Sequence, residues 1–382
     1  MESEINKQLP FFYVVVVWGQ KYVDMLLEMA MPSFLSPRNL PGLTNLEESR
    51  FVILTTRADQ ERIEQAPIFQ HLRSVIEPVF VMLPDLQQGG NQQLRAAYGH
   101  RAAAEMAVRG KGFCIYLCPD CLLGDGSLSY LEAAARDGKK AVLIPGLRLV
   151  RETVHDELQR KSRLSTGAPT TFACRELVEF GLRHLHREVQ RYNWDCPDFA
   201  LFPHLCTWSV DGERGLLIRA FHLHPIMVSM QDAGDFSSLE TSTIDGDFIG
   251  YSITNWDLIH VETDSDNIVI FSLTNMHDRI EPLPSKGSQQ ERLRAIATSK
   301  LVTPLHRYYF SRAIKLHCDD LNEKWERLER KTGHLMYEVL KLEPIDPGTY
   351  LPYVRARLLF DELRQRVKMR IARSLRTRGP GA

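Results

Sequence analysis

Apolar positions along the first 150 residues fall into short, dense runs separated by amphipathic stretches. Residues 11–18 (FFYVVVVW) form the densest run, β-branched and aromatic with no polar alternation. An unbroken run of this kind predicts a strand covered on both faces, as in a parallel sheet. An amphipathic stretch over 21–31 follows and is expected to end near Pro32. Residues 50–55 (RFVILT), 77–83 (EPVFVML), 112–118 (GFCIYLC) and 140–144 (KAVLI) read as further strands. Helix-like ADQERIEQ and an Ala-rich helix over 92–109 lie between them. Strands alternating with helices predict the α/β class: an open, mostly parallel sheet flanked by helices. Ligands of such sheets bind outside the carboxyl ends of the strands.

Beyond residue 150 the rhythm changes. Residues 154–191 read as largely helical, with a break at Gly167-Ala168-Pro169. Strand candidates follow at 216–218, running into 221–228, and at 268–273. A polar, turn-rich stretch over 282–288 predicts a linker, and from 289 onward the pattern is helical, broken at 344–352. This division predicts a main domain over 1–285 and a C-terminal helical region over 286–382.

Charge adds one asymmetry. The formal net charge is −1, yet residues 355–378 hold eight Arg and Lys368 against Asp361 and Glu362. That tail is net +7, leaving −8 on the rest and suggesting an anionic partner for the tail. Leu359, Leu363, Val367, Ile371 and Leu375 recur every four residues, an apolar helix face. Such a helix either lies on an anionic bilayer or packs its leucines on the body. The overall balance argues against a nucleic-acid-coating protein. Seven cysteines, an odd number, do not make a secreted disulfide framework. No apolar run reaches the roughly 20 residues that span a bilayer. These features predict a cytoplasmic protein.

The densest chemistry lies in residues 112–128, GFCIYLCPDCLLGDGSL. A strand delivers Asp120 to the ligand edge of the sheet, and Asp125 opens a Gly-rich turn. Asp120 at a strand's end is suited to a divalent cation that neutralises a diphosphate. Turn formation by Asp120 and helix capping by Asp125 explain the same letters. In 221–225, FHLHP, His222 and His224 stand two apart, which on a strand puts both imidazoles on one face. With Asp120 they would suit Mn²⁺ or Zn²⁺ better than Mg²⁺. In TIDGDF, Asp245 and Asp247 flank Gly246, a turn fit for a cation or for sugar hydroxyls. Glu262, Asp264 and Asp266 share a period of two and are expected on an exposed edge strand or loop. Cys114, Cys118 and Cys121 have the spacing of an iron–sulfur loop. A strand between the first two would hold their sulfurs about 13 Å apart, so buried thiols are the better reading.

Taken in order, WG at 18–19, SFLSPRNLPGL at 33–43, TT at 55–56, PD with DGS at 119–127, FHLHP and TIDGDF resemble a group of bacterial proteins. That group is similar to glycosyltransferases of the GT-A, nucleotide-diphospho-sugar type, and the likeness covers residues 10 to 275. The resemblance implies a GT-A-like sheet and a nucleotide-sugar donor lying across the ends of the first strands. It implies a divalent metal, Mn²⁺ or Mg²⁺, held by a DxD motif. Asp120 is the nearest match to that motif, with His224 as a companion ligand. One carboxylate thus stands where two are expected. Trp18, Gly19, Thr55, Thr56 and Asp125 fall on the donor side, and Asp245, Asp247 and His222 are the catalytic candidates. The implied activity is sugar transfer to a polysaccharide, glycoconjugate or lipid-linked acceptor, with the tail as a peripheral membrane contact. A sugar-binding scaffold that lost the chemistry is the other reading.

Overall fold

A computed structural model describes residues 9–84, 92–161, 163–164, 167–201, 203–233, 237–240, 242–278, 287–299 and 304–341. The amphipathic tail lies outside these residues. Thirteen strands follow in chain order: β1 (Phe11–Val16), β2 (Arg50–Thr55), β3 (Pro78–Met82), β4 (Phe113–Leu117), β5 (Cys121–Leu123), β6 (Ala141–Ile144) and β7 (Leu147–Val150), then β8 (Leu205–Ser209), β9 (Gly215–Ala220), β10 (His224–Ser229), β11 (Ile259–Val261), β12 (Ile270–Thr274) and β13 (Ile314–His317).

Seven strands form the central sheet in the order β11-β6-β10-β4-β1-β2-β3. Every pairing within it is parallel except those of β10, which runs antiparallel between β4 and β6. The expected open, mostly parallel α/β sheet is therefore present. Its unbroken apolar strands have a direct explanation. Val14, Val52, Leu54, Cys114 and Tyr116 enter one buried cluster, while Tyr13, Val15, Ile53, Ile115 and Leu117 enter another. Successive side chains of one strand point to opposite faces, so apolar residues at every position mean that both faces are covered.

The Ala-rich helix Gln92–Arg109 covers one face and approaches closely. A Cβ at Gly99 would stand 2.8 Å from Val16 Cγ1. Two three-stranded sheets complete the fold, β5-β12-β7 and β13-β9-β8. Among the described residues no helix is long and apolar enough to cross a membrane.

Several expectations change. The helix after β1 does not stop at Pro32. It passes through a π-helical turn at Leu26–Ala30 and resumes as Met31–Phe34. Pro32 stands in the first turn of that last segment, where its missing N–H costs little. The segment from 289 is helical over Gln289–Ser299, Pro304–Ser311 and Glu323–Lys341. β13 interrupts it and pairs antiparallel with β9, so the chain returns to the sheets of the main body. β5, β7, β8 and β11 were not anticipated. They are three to five residues long, too short to show a period.

Candidate functional site

A cleft of about 620 Å³ opens where β1, β4 and β6 end and β10 begins. This is the carboxyl edge of the parallel strands, where such sheets bind ligands. Lys21, Tyr22, Asp120, Arg148, Glu188, His222, His224 and Asp245 line it, among others. Of the residues singled out from sequence, Asp120, His222, His224 and Asp245 are brought together there.

Asp120 is positioned by its backbone. Its carbonyl accepts from Leu273 N–H of β12 at 2.7 Å, fixing the turn from β4 to β5 so that the half-buried side chain faces the cleft. Beside it, burial pushes the Cys118 thiol up to about 12, and the charge of Asp120 adds to the effect. Cys118 is therefore a protonated wall of the cleft and not a nucleophile. Cys114 and Cys121 are buried, and burial raises both thiols.

Arg148 enters from β7 and donates to Glu188 Oε2 at 3.0 Å. Tyr192 donates to Glu188 Oε1, also at 3.0 Å. The guanidinium is thus aimed by a carboxylate that is itself satisfied, leaving the outer face of the cation to a ligand. Sequence reasoning missed this trio. The available signal was a lone Arg between Leu147 and Leu149 in a strand; Tyr192 lies in the turn after the short helix Arg187–Gln190 that carries Glu188. Lys21, the second residue of the helix after β1, supplies another cation to the cleft.

His222 and His224 reach the cleft differently from the expected shared strand face. His222 lies in the turn before β10, and only His224 belongs to the strand. The N–H groups of Phe221 and His222 both donate to His204 carbonyl, at 3.0 and 3.3 Å. This brings the His204 and His222 rings to 5.4 Å, with the His306 ring 5.5 Å from that of His222. His224 Nε2 faces the Tyr116 carbonyl at 3.4 Å, and burial lowers its pKa, keeping the imidazole neutral.

Asp245 is exposed and caps the helix Gly246–Ser252, its Oδ1 accepting from Phe248 N–H at 2.9 Å. The same residue lines the cleft. Asp247 lies in the first turn of that helix, and its side chain is outside the described residues.

The donor-side residues have other engagements. Trp18 is half-buried, donates from Nε1 to Gln92 at 2.8 Å and carries the Arg95 guanidinium 5.5 Å from its ring. Gly19 has φ +78 and donates to Asp59 Oδ2 at 2.9 Å. Thr56 caps the helix Arg57–Gln65 and binds the same Asp59. Thr55 is fully buried, and its hydroxyl has no hydrogen-bond partner among the described residues. Asp125 accepts from Arg38 N at 2.8 Å and Arg38 Nε at 3.0 Å. None of these five lines the cleft.

The cleft does not gather three metal ligands. Among the described residues one trio of potential ligands converges, Asp264, Asp266 and His317, and it lies elsewhere. The acidic set lies in the loop after the edge strand β11, with Asp266 exposed as expected; Glu262 differs, being 4% exposed and accepting from Thr263 N, Asp264 N and Asn267 Nδ2. Burial was affordable because backbone and side-chain donors surround it.

No known family model and no curated protein matches this sequence. Similar solved structures include TarS of S. aureus, 15% identical with TM-score 0.26, over 37% of this chain and 22% of that one. A putative glucose-1-phosphate thymidylyltransferase from Bacillus anthracis, in complex with a sucrose, is 11% identical with TM-score 0.25, over 38% and 57%. The mannosyltransferase PcManGT from Pyrobaculum calidifontis, in complex with GDP-Man and Mn²⁺, is 11% identical with TM-score 0.30, over 96% and 85%. The chain thus spans 22% of TarS and 57% of the thymidylyltransferase.

Proposed function

We propose that this chain is a GT-A-like glycosyltransferase that moves a sugar from a nucleotide-sugar donor to a carbohydrate or glycoconjugate acceptor. The observation that carries the reading is the cleft at the carboxyl edge of the sheet, where Asp120, Asp245, His222 and His224 meet the cations Lys21 and Arg148. A diphosphate needs positive charge as the bond to the sugar breaks, and Lys21 and Arg148 supply it. The acceptor hydroxyl must lose a proton, and Asp245, a carboxylate lining the cleft, is the base. His222 and His224 orient sugar hydroxyls, the neutral His224 through its ring edge.

Among the described residues no three ligand atoms converge in the cleft, which does not fit a cation caged by these side chains alone. Asp120 instead holds one side of the donor. Trp18, Gly19, Thr55 and Thr56 do not line the cleft and brace the ends of β1 and β2 instead. The alternative is a sugar-binding protein of this fold without catalysis.

A thermal-shift screen with UDP-, GDP-, CMP- and dTDP-sugars, each with and without Mn²⁺, tests the reading. A hit followed by release of the nucleoside diphosphate supports transfer. A hit without release supports the binding protein. No hit contradicts both.

A further inference from the structure

The loop between β11 and β12 meets the end of β13 at a point unrelated to the cleft. Asp264 bridges Lys315, Ser265 N–H donates to Lys315 carbonyl at 3.0 Å, and His317 N–H donates to Ser265 Oγ at 3.0 Å. This backbone stitching places the His317 imidazole, 1% exposed, beside two carboxylates. Ligand atoms of Asp264, Asp266 and His317 all lie within 4.8 Å of one another.

The two nitrogens of His317 carry the argument. Nδ1 stands 2.7 Å from the Asp319 carbonyl, which can only accept, so Nδ1 holds a proton. In the neutral ring Nε2 is then a lone pair, yet it faces Asp264 Oδ1 at 2.8 Å. Two acceptors at that distance require a positive charge between or upon them: a second proton, or a metal ion. A ring N–H given to a backbone carbonyl, with the other nitrogen turned to carboxylates, is the arrangement of a metal-ligating histidine.

We infer that Asp264, Asp266 and His317 form a binding site for a borderline divalent cation of the Zn²⁺ class, which staples β13 to the loop after β11. Two oxygens and one imidazole nitrogen suit such an ion, and water completes a tetrahedral set from the open side at Asp266. Ligand atoms about 2.1 Å from one ion at the tetrahedral angle stand roughly 3.4 Å apart. Seating the ion thus needs the His317–Asp264 pair to open slightly. The competing contact is Arg175, which donates to both oxygens of Asp266 at 2.8–3.2 Å and to Asp320 at 2.7 Å. Each carboxylate oxygen has two lone pairs, so Asp266 can keep Arg175 and still ligate. When the ion binds it occupies the Nε2 lone pair, and any proton there is released to solvent.

The test is equilibrium dialysis of the full-length, chelator-treated chain against Zn²⁺, with thermal melts alongside. One ion per chain is expected, with a rise in Tm. Asp266→Asn, at an exposed position where the amide oxygen still serves Arg175, should weaken binding by about tenfold or more without unfolding the chain. Asp264→Asn should do the same. Asp120→Asn, in the cleft, should leave binding unchanged. Absence of saturable binding, or binding by the Asp264 and Asp266 variants as strong as that of the wild type, would overturn the site and leave His317 as an imidazolium paired with Asp264.

Discussion

The backbone N–H of Ile244 donates to Nδ1 of His100 across 3.0 Å, tying the residue before Asp245 to the helix Gln92–Arg109. The donor is an amide, so Nδ1 must be an unprotonated acceptor. Burial, helped by nearby His224, lowers the His100 pKa from 6.5 to about 4. The unfolded chain takes up this proton near 6.5 and the folded chain only near 4. Between those values the unfolded state binds more protons, so stability falls as pH drops through that window. The full effect is on the order of 3 kcal/mol. Melting curves of wild type and His100→Asn from pH 7 to pH 4 measure it. Asn keeps an acceptor for Ile244 but cannot titrate. The acid loss of Tm should be smaller in His100→Asn, and parallel curves would contradict the assignment.

Asp125 and Arg38 form a pair whose role is structural. Removing the carboxylate strands the Arg38 N–H and leaves its guanidinium only the main-chain carbonyl of residue 125. Asp125→Ala should cost about 1–3 kcal/mol in urea unfolding. Ligand binding in the cleft should persist at temperatures where the variant is folded. Loss of binding without loss of stability would return Asp125 to the donor site.

Gly181 faces the ring of Phe271 in β12, and a Cβ there would stand 2.5 Å from Cε2 and 2.6 Å from Cζ. Both residues are buried. A ring packed on both sides cannot turn aside, so Gly181→Ala should destabilise by about 1–3 kcal/mol. It should also disturb Ser272 and Leu273, which border the cleft. A neutral effect in denaturant melts would show that β12 yields more readily than its packing implies.

Arg219 is 3% exposed and reaches from β9 to Thr332 Oγ1 and to the carbonyls of Phe310, Ser311 and Glu329. Arg219→Met keeps much of the stem but strands these acceptors. A loss of about 3 kcal/mol or more is expected, because several buried groups lose their partner at once. Chemical denaturation checks it, and a loss below 1 kcal/mol, roughly one ordinary hydrogen bond, would show that water replaces the guanidinium.

The central sheet was legible because two-sided burial writes itself as unbroken apolar runs, as in residues 11–18. β5 and β11, three residues each, carry no such record, and their pairing is decided by partners far along the chain. The same holds for the site. Asp120 and Asp245 could be found because an Asp beside a strand end or a turn glycine is a local signal. Arg148 and Glu188 stand 40 residues apart in sequence and meet only through tertiary packing. Thr56 and Asp125 were singled out by the right local cue, a turn. The turn itself was the use to which the fold puts them: Thr56 as a helix cap, Asp125 as an anchor for Arg38.

Calorimetric titration of UDP-, GDP-, CMP- and dTDP-sugars into wild type, Asp120→Asn and Asp245→Asn, with transfer measured on the same samples, tests the nucleotide-sugar cleft most directly. The account predicts binding of one donor class to wild type and an affinity loss of about tenfold or more in Asp120→Asn, as expected when a charged contact is removed. Asp245→Asn should bind the donor normally and transfer it about 100-fold or more slowly, the contribution of a general base. Failure of all four donors to bind, or equal binding by wild type and Asp120→Asn, would contradict it.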